Sequence, residues 1–394
     1  SWKKWKGEVL GLTSTNAVVK KKNYEAEFQK KINANPQWKT AYGILLSDLS
    51  TAYAEIKPLG YARDYYTEII SKIEMLTIAA QLNSLITAHD RDGDKGYQQR
   101  LPQVKAALES LFTEYNEQVD KKLLEVLMEM YVKDQEDKYV SPLLMELLNS
   151  SGKNFEQLAD RIFGDTKLFS SATITKMLDK PAAELIPDLK SQSLIHLYTD
   201  LLKTYQTQVQ GKLNEIQSRI NKLQRTYMQA QMEVFKGKKF YPDANSTLRI
   251  TYGNVKSYNP RDAVKYDFYT YLDGVMDKYK PGDYEFDVPE KIRQLYNSKD
   301  YGQYGSNGKM PVCFIATNHT TGGNSGSPAL DAYGNLVGLN FDRVWEGTMS
   351  DINYDPSICR NIMVDIRYVL FIVDKFAGAS HLIKEMKLVH PKRK

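Results

Sequence analysis

Near its C-terminal end the chain reads Thr321-Gly322-Gly323-Asn324-Ser325-Gly326-Ser327-Pro328. The glycines around Ser325 permit a sharp turn, because glycine adopts positive φ angles without a steric penalty. Such a turn directs the amide N–H groups of Gly323 and Ser325 toward the space beside the hydroxyl, where they could stabilise a developing oxyanion. The stretch is typical of a nucleophilic serine loop. The alternative is a turn rich in Gly, Ser and Asn that has no chemistry.

Apolar runs flank this loop on both sides, at 312–316 and at 336–339. A strand before and a strand after the loop form the context that a nucleophilic serine needs, because rigid elements position the loop. The segment 331–335 is predicted as a hairpin turn, and 361–375 as a closing strand followed by a helix. Strands are predicted at 246–255, 309–317 and 335–341.

Residues 1–239 show helical periodicity. An apolar stripe advances by three or four residues from Leu194 to Tyr227 and predicts one long helix in antiparallel coiled packing. The composition changes near 236–242, and we predict an α+β fold with a helical domain over 1–239 and a β-rich domain over 240–394. A shorter stripe contains Leu123, Leu124, Leu127, Met130 and Tyr131. Prolines that are predicted to separate helices lie at 58, 102, 142, 181 and 187.

From residue 311 to about 374 the chain resembles the C-terminal part of the bacterial dipeptidyl-peptidases of serine peptidase family 46. The resemblance is carried by TNHTTGGNSGSPALDAYGNLVGLNFDRVWEG (317–347) and by NIMVDIRYVLFIVDK (361–375). It extends less sharply over essentially the whole chain, but the chain covers only the later part of the family. The resemblance implies a chymotrypsin-like β-barrel at 240–394, the C-terminal part of a double-barrel peptidase, and a helical cap at 1–239. These enzymes are exopeptidases that remove dipeptides from free N-termini.

The resemblance also implies roles for the strand that follows Ser325. Asp342 matches the carboxylate that anchors the substrate's α-amino group, and Phe341 beside it is expected to contact the substrate. Arg343, eighteen residues after Ser325, matches the residue that selects an acidic side chain in the S1 pocket. Family members with Gly there prefer hydrophobic residues. From the residues alone, a structural ion pair of Arg343 with Asp342, Glu346 or Asp351 is an equal alternative.

A serine nucleophile needs a general base, usually histidine. The five histidines are His89, His196, His319, His381 and His390. His319 lies six residues before Ser325, but no histidine lies in the upstream motif that chymotrypsin-like enzymes use. We therefore expect a C-terminal fragment whose base and orienting Asp lie elsewhere, and negligible peptidase activity of the chain alone. Asn324 replaces the Asp of zymogen-activated relatives, so activation through an ion pair with a new N-terminus is not expected.

The leading functional hypothesis is a serine dipeptidyl-peptidase that cleaves after Asp or Glu at the second position of peptides with a free N-terminus. The alternatives are a dipeptidyl-peptidase that prefers hydrophobic residues, a chymotrypsin-like endopeptidase, and a non-catalytic helical interaction module. Serine acyl transfer requires no cofactor and no metal. The family resemblance implies a periplasmic or cell-surface enzyme of a Gram-negative bacterium. The sequence does not reveal the oligomeric state, and a homodimer stays open.

The composition of the chain gives no indication of a nucleic-acid or membrane partner. The 53 Lys and Arg nearly balance the 48 Asp and Glu, giving a net charge of +5, which makes no case for nucleic acid. No apolar run reaches the roughly 18–20 residues that a membrane span needs.

Cys313 and Cys359 are too few for a disulfide framework, and their redox state stays open. The segment 89–94 has a weak likeness to a calcium loop, but its twelfth position is Leu101 instead of Glu, which favours a turn between helices.

Overall fold

The computed structural model of this chain describes residues 2–164, 171–242 and 245–390. The chain forms two compact units. Lys31–Lys239 make up a helical unit, and Ser1–Lys30 with Phe240–Lys394 make up a second unit, called here the sheet unit because all described strands lie in it. The predicted α+β class is confirmed. One boundary between the units lies between residues 239 and 240, the position at which the two domains were predicted to meet. A second boundary lies between residues 30 and 31, because residues 1–30 group with the strands and not with the other helices.

The first twelve α-helices are followed by the strands and short helices of the sheet unit. These twelve are α1 (Trp2–Ser14), α2 (Ala17–Ala34), α3 (Pro36–Tyr42), α4 (Leu45–Ile69), α5 (Glu74–Phe112), α6 (Glu117–Asp134), α7 (Pro142–Ser150), α8 (Phe155–Gly164), α9 (Ser171–Leu178), α10 (Ala182–Lys190), α11 (Ser193–Tyr205) and α12 (Gly211–Val234).

The sheet unit adds seven described strands and four described α-helices. In chain order they are β1 (Tyr258–Arg261), β2 (Val264–Tyr266), β3 (Tyr269–Tyr271), α13 (Leu272–Met276), α14 (Glu290–Ser298), β4 (Pro311–Ala316), β5 (Pro328–Leu330), β6 (Leu336–Arg343), β7 (Asn361–Asp365), α15 (Ile366–Phe371) and α16 (Ser380–Lys384). A 3₁₀ helix at Trp345–Asp351 follows β6.

The long helix predicted from the stripe 194–227 is confirmed. A π-helical stretch, Gln206–Gln210, joins α11 to α12 without a break. This helix packs antiparallel to α4. Tyr66 stacks on Tyr205, with ring centroids 4.2 Å apart, while Tyr53 near the other end of α4 accepts a hydrogen bond from Gln224.

A backbone break at Gly93 divides α5, where φ is 62° and ψ is −151°. This confirms the predicted turn between helices in the segment 89–94. Its acidic side chains have protein partners: Asp90 pairs with Lys190 at 2.7 Å, and Asp94 lies 3.5 Å from His89. Over the described ranges, no group of three or more His, Cys, Asp or Glu side chains could hold a metal ion.

The predicted stripe on α6 was right at Leu124 and Tyr131, which are buried, and at Leu127, which packs against the core, but its register was wrong at the other positions. Its buried side chains are those of Asp120, Leu124, Met128 and Tyr131. Leu123 and Met130, which were predicted to share the stripe, are exposed. Both patterns satisfy helical spacing, so the choice depends on what the neighbouring helices cover, which the local sequence does not contain.

Three of the prolines predicted to separate helices lie inside them instead. Pro58 is inside α4, Pro102 inside α5 and Pro187 inside α10. Pro142 begins α7 and Pro181 caps α10, as predicted. Tertiary packing can outweigh the roughly 3 kcal/mol penalty of an internal proline.

The five-stranded sheet is antiparallel throughout and has the strand order β3-β4-β7-β6-β5. β4 lies in the predicted run 309–317, and β6 begins in the predicted run 335–341 and continues to Arg343. β7 with α15 forms the predicted strand and helix. β1 and β2 make a separate pair. The resemblance implies a β-barrel, but the five strands form an open sheet. Within the described ranges, no strand connects the two edge strands β3 and β5.

The strand predicted at 246–255 is not formed. Only Val255 makes a β-bridge, to Ala316, in this part of the chain. Leu248, Ile250 and Tyr252 alternate as in a strand, but they are 92%, 84% and 91% exposed. Strand-like alternation needs a neighbouring strand to pair with and a face to bury. Pairing with β4 is confined to the end of the segment at Val255, and the side chains of Leu248, Ile250 and Tyr252 have no face to bury among the described residues.

Two glycines explain why the first helix groups with the sheet unit. A Cβ atom on Gly7 would lie 2.6 Å from Nε1 of Trp345, and one on Gly11 would lie 2.7 Å from Sδ of Met349. Trp345 also donates a hydrogen bond from Nε1 to the carbonyl of Lys3, at 2.8 Å. The helix approaches the 3₁₀ helix so closely that a side chain at either glycine would force the two apart.

The structure contains no single helix, within its described ranges, that is both long and apolar enough to cross a membrane. Two helical stretches joined at a sharp bend, Pro36–Lys72 and Glu74–Phe112, meet the length and composition test only when they are counted together.

Asp120, a residue of α6, caps the N-terminus of α5. Its buried carboxylate accepts hydrogen bonds from the N–H groups of Glu74 and Met75, at 2.7 and 2.8 Å. These amides would otherwise be unpaired at a helix N-terminus. Burial raises the pKa of Asp120 to about 6, although the two backbone hydrogen bonds oppose the shift.

We predict that Asp120→Asn lowers the free energy of unfolding by about 1–3 kcal/mol at neutral pH, because its NH₂ group faces a donor. Folding raises the pKa of Asp120, so its protonation stabilises the folded state below about pH 6. The stability difference between wild type and Asp120→Asn should therefore grow as the pH falls from 7 to 4. Chemical denaturation at several pH values measures it. Asp94→Asn, at a side chain 82% exposed, is the control, and a difference that shrinks would contradict the prediction.

Candidate active site

Glycine geometry shapes the loop that carries Ser325. Gly323 has φ of 102° and Gly326 has φ of 83°, angles that other residues adopt only with strain. Asn324 closes the turn on itself, because its Oδ1 accepts from Thr321 N at 3.0 Å and its N–H donates to the Thr321 carbonyl at 3.2 Å. Ser325 is exposed at the tip of this turn.

The groups predicted to perform chemistry on this loop have no competing partners. Within the described residues, the N–H groups of Gly323 and Ser325 donate no hydrogen bond to protein, and no side chain hydrogen-bonds to the Ser325 hydroxyl. Amides without a protein acceptor on either side of one residue are the kind of donors that an oxyanion hole requires. The geometry therefore leaves both amides available to an oxyanion.

A residue that the sequence analysis did not identify lies beneath the loop. The buried Asn340 of β6 donates from its N–H to the Ser327 carbonyl at 2.9 Å and accepts from Gly326 N at 2.7 Å. Its side chain donates to the Asn324 carbonyl at 3.2 Å. Asn340 thus contacts the residues on both sides of Ser325. Its loop partners lie up to 16 positions away in sequence, so no local motif could have revealed it.

A β-bulge in β6 sets the direction of the three predicted substrate-binding residues. Asn340 pairs with Met363, but Asp342 pairs with Ile362, so Phe341 is the extra residue. A bulge re-aims the side chains that follow it. Phe341 is consequently exposed although it lies in a strand of the sheet interior. Asp342 and Arg343 continue the strand beyond this point.

The carboxylate of Asp342 has no cationic partner among the described residues. It is exposed, and it accepts one hydrogen bond, at 2.8 Å, from the backbone N–H of Arg343. The ion pair with Arg343 that was one alternative for these residues is therefore absent. A carboxylate held by one backbone donor keeps acceptor sites open for an ammonium group.

Arg343 forms the ion pair with Asp351 that was the structural alternative, at 2.9 Å. The same nitrogen, Nη1, also donates to Oγ of Ser350 at 2.7 Å. Nε and Nη2, which make up one edge of the guanidinium, donate to no other described residue. The side chain is only 19% exposed. It is thus held in place at one end and keeps one edge that could bind a carboxylate bidentately.

His319 serves a structural role in this chain. Its Nε2 donates to the carbonyl of Ser350 at 3.1 Å, because a carbonyl can only accept, and its Nδ1 lies 3.3 Å from the Tyr241 hydroxyl. The ring packs at 4.8 Å from the ring of Tyr354. Both nitrogens are therefore occupied, and no described histidine hydrogen-bonds to Ser325.

The two cysteines are free thiols, which settles the alternative of a bridge between them. Burial raises the pKa of both the Cys313 and the Cys359 thiol, so neither is poised as a nucleophile. Next to Cys359, the buried Arg360 donates to four backbone carbonyls, those of Lys256, Ser257, Pro356 and Cys359. These hydrogen bonds fix the end of the connection between β6 and β7 against the segment 256–257.

Comparison with known proteins identifies the family of this chain. The family model for peptidase S46 matches residues 1–388. The chain belongs to the peptidase S46 family.

Among relatives, the chain is 49% identical over all of its 394 residues to an Asp/Glu-specific dipeptidyl-peptidase of Flavobacterium psychrophilum, covering 54% of that protein. It is 46% identical to the Asp/Glu-specific dipeptidyl-peptidase of Capnocytophaga gingivalis, over 98% of this chain and 54% of the relative. The chain thus spans about half the length of these S46 relatives. The crystal structure of Porphyromonas endodontalis DPP11 in complex with the dipeptide Arg-Glu is 30% identical, with a TM-score of 0.77, and the match covers 98% of this chain and 54% of that one.

Proposed function

We propose that this chain carries the nucleophile and the specificity residues of a serine dipeptidyl-peptidase that releases dipeptides ending in Asp or Glu. Ser325 attacks the second peptide bond of a substrate with a free N-terminus and forms an acyl-enzyme. The amides of Gly323 and Ser325 bind the oxyanion. The observation that carries the proposal is a pair of neighbouring groups on β6: the Asp342 carboxylate, which has no cationic partner among the described residues, and the Arg343 guanidinium, which pairs with Asp351 through Nη1 and keeps one edge open.

The open carboxylate of Asp342 suits an exopeptidase. A dipeptidyl-peptidase must recognise the substrate's α-ammonium group, and a charge-assisted hydrogen bond of that kind contributes about 1.5–3 kcal/mol. In an endopeptidase no α-ammonium group lies at this place, and an unpaired carboxylate there would have to bind a basic side chain of the substrate instead. The names of the relatives, which are dipeptidyl-peptidases, support the same conclusion.

The open edge of Arg343 suits an acidic substrate. Asp351 and Ser350 fix the guanidinium through Nη1, and Nε with Nη2 remains to pair with the side-chain carboxylate of Asp or Glu. The ion pair with Asp351 and the specificity role are thus compatible in one side chain. Two relatives specific for Asp and Glu, at 49% and 46% identity, support this preference over the hydrophobic one.

We further propose that the general base comes from outside this chain, since the contacts of His319 leave no nitrogen for Ser325. Under this proposal the chain alone has negligible peptidase activity, and the full-length protein is the enzyme. The interaction-module alternative then describes the isolated chain only. Periplasmic or cell-surface location and a homodimeric state stay predictions.

The specificity is tested by hydrolysis of two fluorogenic dipeptides by the full-length protein, one with Asp and one with Leu at the cleaved position. We expect a strong preference for Asp and loss of all activity in Ser325→Ala. Arg343→Gly should lower kcat/KM for the Asp substrate by about 10–100-fold, equivalent to one charge-assisted pair, and leave the Leu substrate unaffected. Arg261→Gly, at an exposed arginine of β1, is the control. A preference for Leu in the wild type would return Arg343 to a purely structural role.

The exopeptidase assignment is tested by acetylating the substrate N-terminus. Cleavage of the Asp dipeptide should be lost on acetylation, because a blocked amine cannot pair with Asp342. Asp342→Asn should raise KM for the free substrate by about tenfold or more, whereas Asp262→Asn, at an exposed aspartate beside β1, should not. Equal cleavage of free and acetylated substrates would favour the endopeptidase alternative.

A further inference from the structure

The side chain of Asn340 has two hydrogen bonds that its backbone cannot replace. Any residue at this position could make the backbone pair with Gly326 and Ser327, since those bonds use only N–H and C=O. The donation from Nδ2 to the Asn324 carbonyl, at 3.2 Å, and the acceptance at Oδ1 from Nδ2 of Asn361, at 2.8 Å, require an amide.

The Asn324 carbonyl belongs to the same peptide unit as the N–H of Ser325. That unit is planar and trans, so its C=O and N–H point in opposite directions. A donor that fixes the carbonyl oxygen therefore also fixes the direction of the Ser325 N–H. Two donors hold this oxygen, Nδ2 of Asn340 and the N–H of Ser327, the latter at 3.0 Å. Hydrogen bonding at the carbonyl also polarises the N–H of the unit.

Asn361 determines which way the Asn340 amide is turned. It donates to Oδ1 of Asn340, so the NH₂ group of Asn340 must face the Asn324 carbonyl; the reverse orientation would place two oxygens against each other. Asn361 is buried on β7, and its own Oδ1 has no partner among the described residues. Leaving a buried acceptor unpaired costs free energy. The presence of Asn361 despite this cost is consistent with a role for its NH₂ group as a donor to Asn340.

We propose that Asn340, oriented by Asn361, is a positioning residue that holds the Ser325 amide in the oxyanion hole. The inference rests on the proposed function, in which that amide binds the oxyanion. Both contacts of the Asn340 side chain are with neutral groups, so the loop is held without an ion pair. Asn324, which cannot pair with a new N-terminus, is instead fixed through its carbonyl.

The isosteric variant Asn340→Asp tests this role in the full-length protein. At neutral pH its carboxylate oxygen faces the Asn324 carbonyl and repels it, so kcat should fall by about 100-fold, as expected for a misplaced catalytic group, with KM nearly unchanged. When the acid is protonated, its O–H can donate to that carbonyl again. The ratio of variant to wild-type kcat should therefore rise as the pH falls. Because protonation of a buried carboxyl also stabilises the fold, circular dichroism must show that the variant is fully folded at each pH used.

Asn335→Asp is the matched control, since Asn335 lies in the same hairpin but hydrogen-bonds only to Asp331. It should keep wild-type kcat at every pH. If Asn340→Asp fails to fold, Asn361→Ala is measured instead, with an expected loss of about tenfold in kcat and little change in KM. An Asn340→Asp kcat equal to that of the wild type, or a ratio independent of pH, would overturn the proposal. Persistence of activity in Ser325→Ala would instead overturn the proposed function.

Discussion

The pairing of β6 with β7 constrains every functional group of the sheet unit. It fixes Asn340 opposite Met363, beneath the serine loop, and then shifts by one residue at the bulge. Before the shift, the strand supports the loop of the proposed nucleophile, Ser325. After it, the strand presents the side chains that are proposed to bind the substrate. One bulge thus separates a buried polar support from the proposed recognition residues, and backbone hydrogen bonds set the distance between them.

The charges of this unit are distributed according to the cost of burying them. Neutral amides support the loop, since a buried amide with a hydrogen-bond partner is far less costly than a buried unpaired charge. Arg360 and Asp365 are buried exceptions: Arg360 donates to four carbonyls, and Asp365 pairs with Arg367 at 2.7 Å. Desolvation lowers the pKa of Arg360, yet arginine stays ionised. The Asp342 carboxylate, which has no cationic partner among the described residues, is exposed, and Arg343 beside it is partly buried and paired with Asp351.

The parts of the structure that local rules govern were predictable. Glycines at 323 and 326 indicated the turn, and apolar runs indicated β4 and β6 on either side of it. The strand predicted at 246–255 is not formed, because alternating apolar residues indicate only a preference for β-structure, and a strand also needs a neighbouring strand to pair with. The register of α6 failed for a similar reason, since Asp120 is buried by its contact with the beginning of α5, 45 residues earlier. The Asn340 contacts span 16 and 21 residues, and the choice of Asp351 as the partner of Arg343 depends on the 3₁₀ helix after β6. Such tertiary contacts have no local signal.

The most direct test of the account is the site of covalent modification by a dipeptidyl phosphonate that has a free amino terminus and Asp at the position next to phosphorus. Such a reagent needs the nucleophile, the α-amino anchor and the acidic pocket at once. Peptide mapping of the full-length protein by mass spectrometry should locate the phosphonyl group on Ser325, and the acetylated reagent should leave the protein unmodified. Modification of another residue, or equal modification by the free and acetylated reagents, would contradict the account.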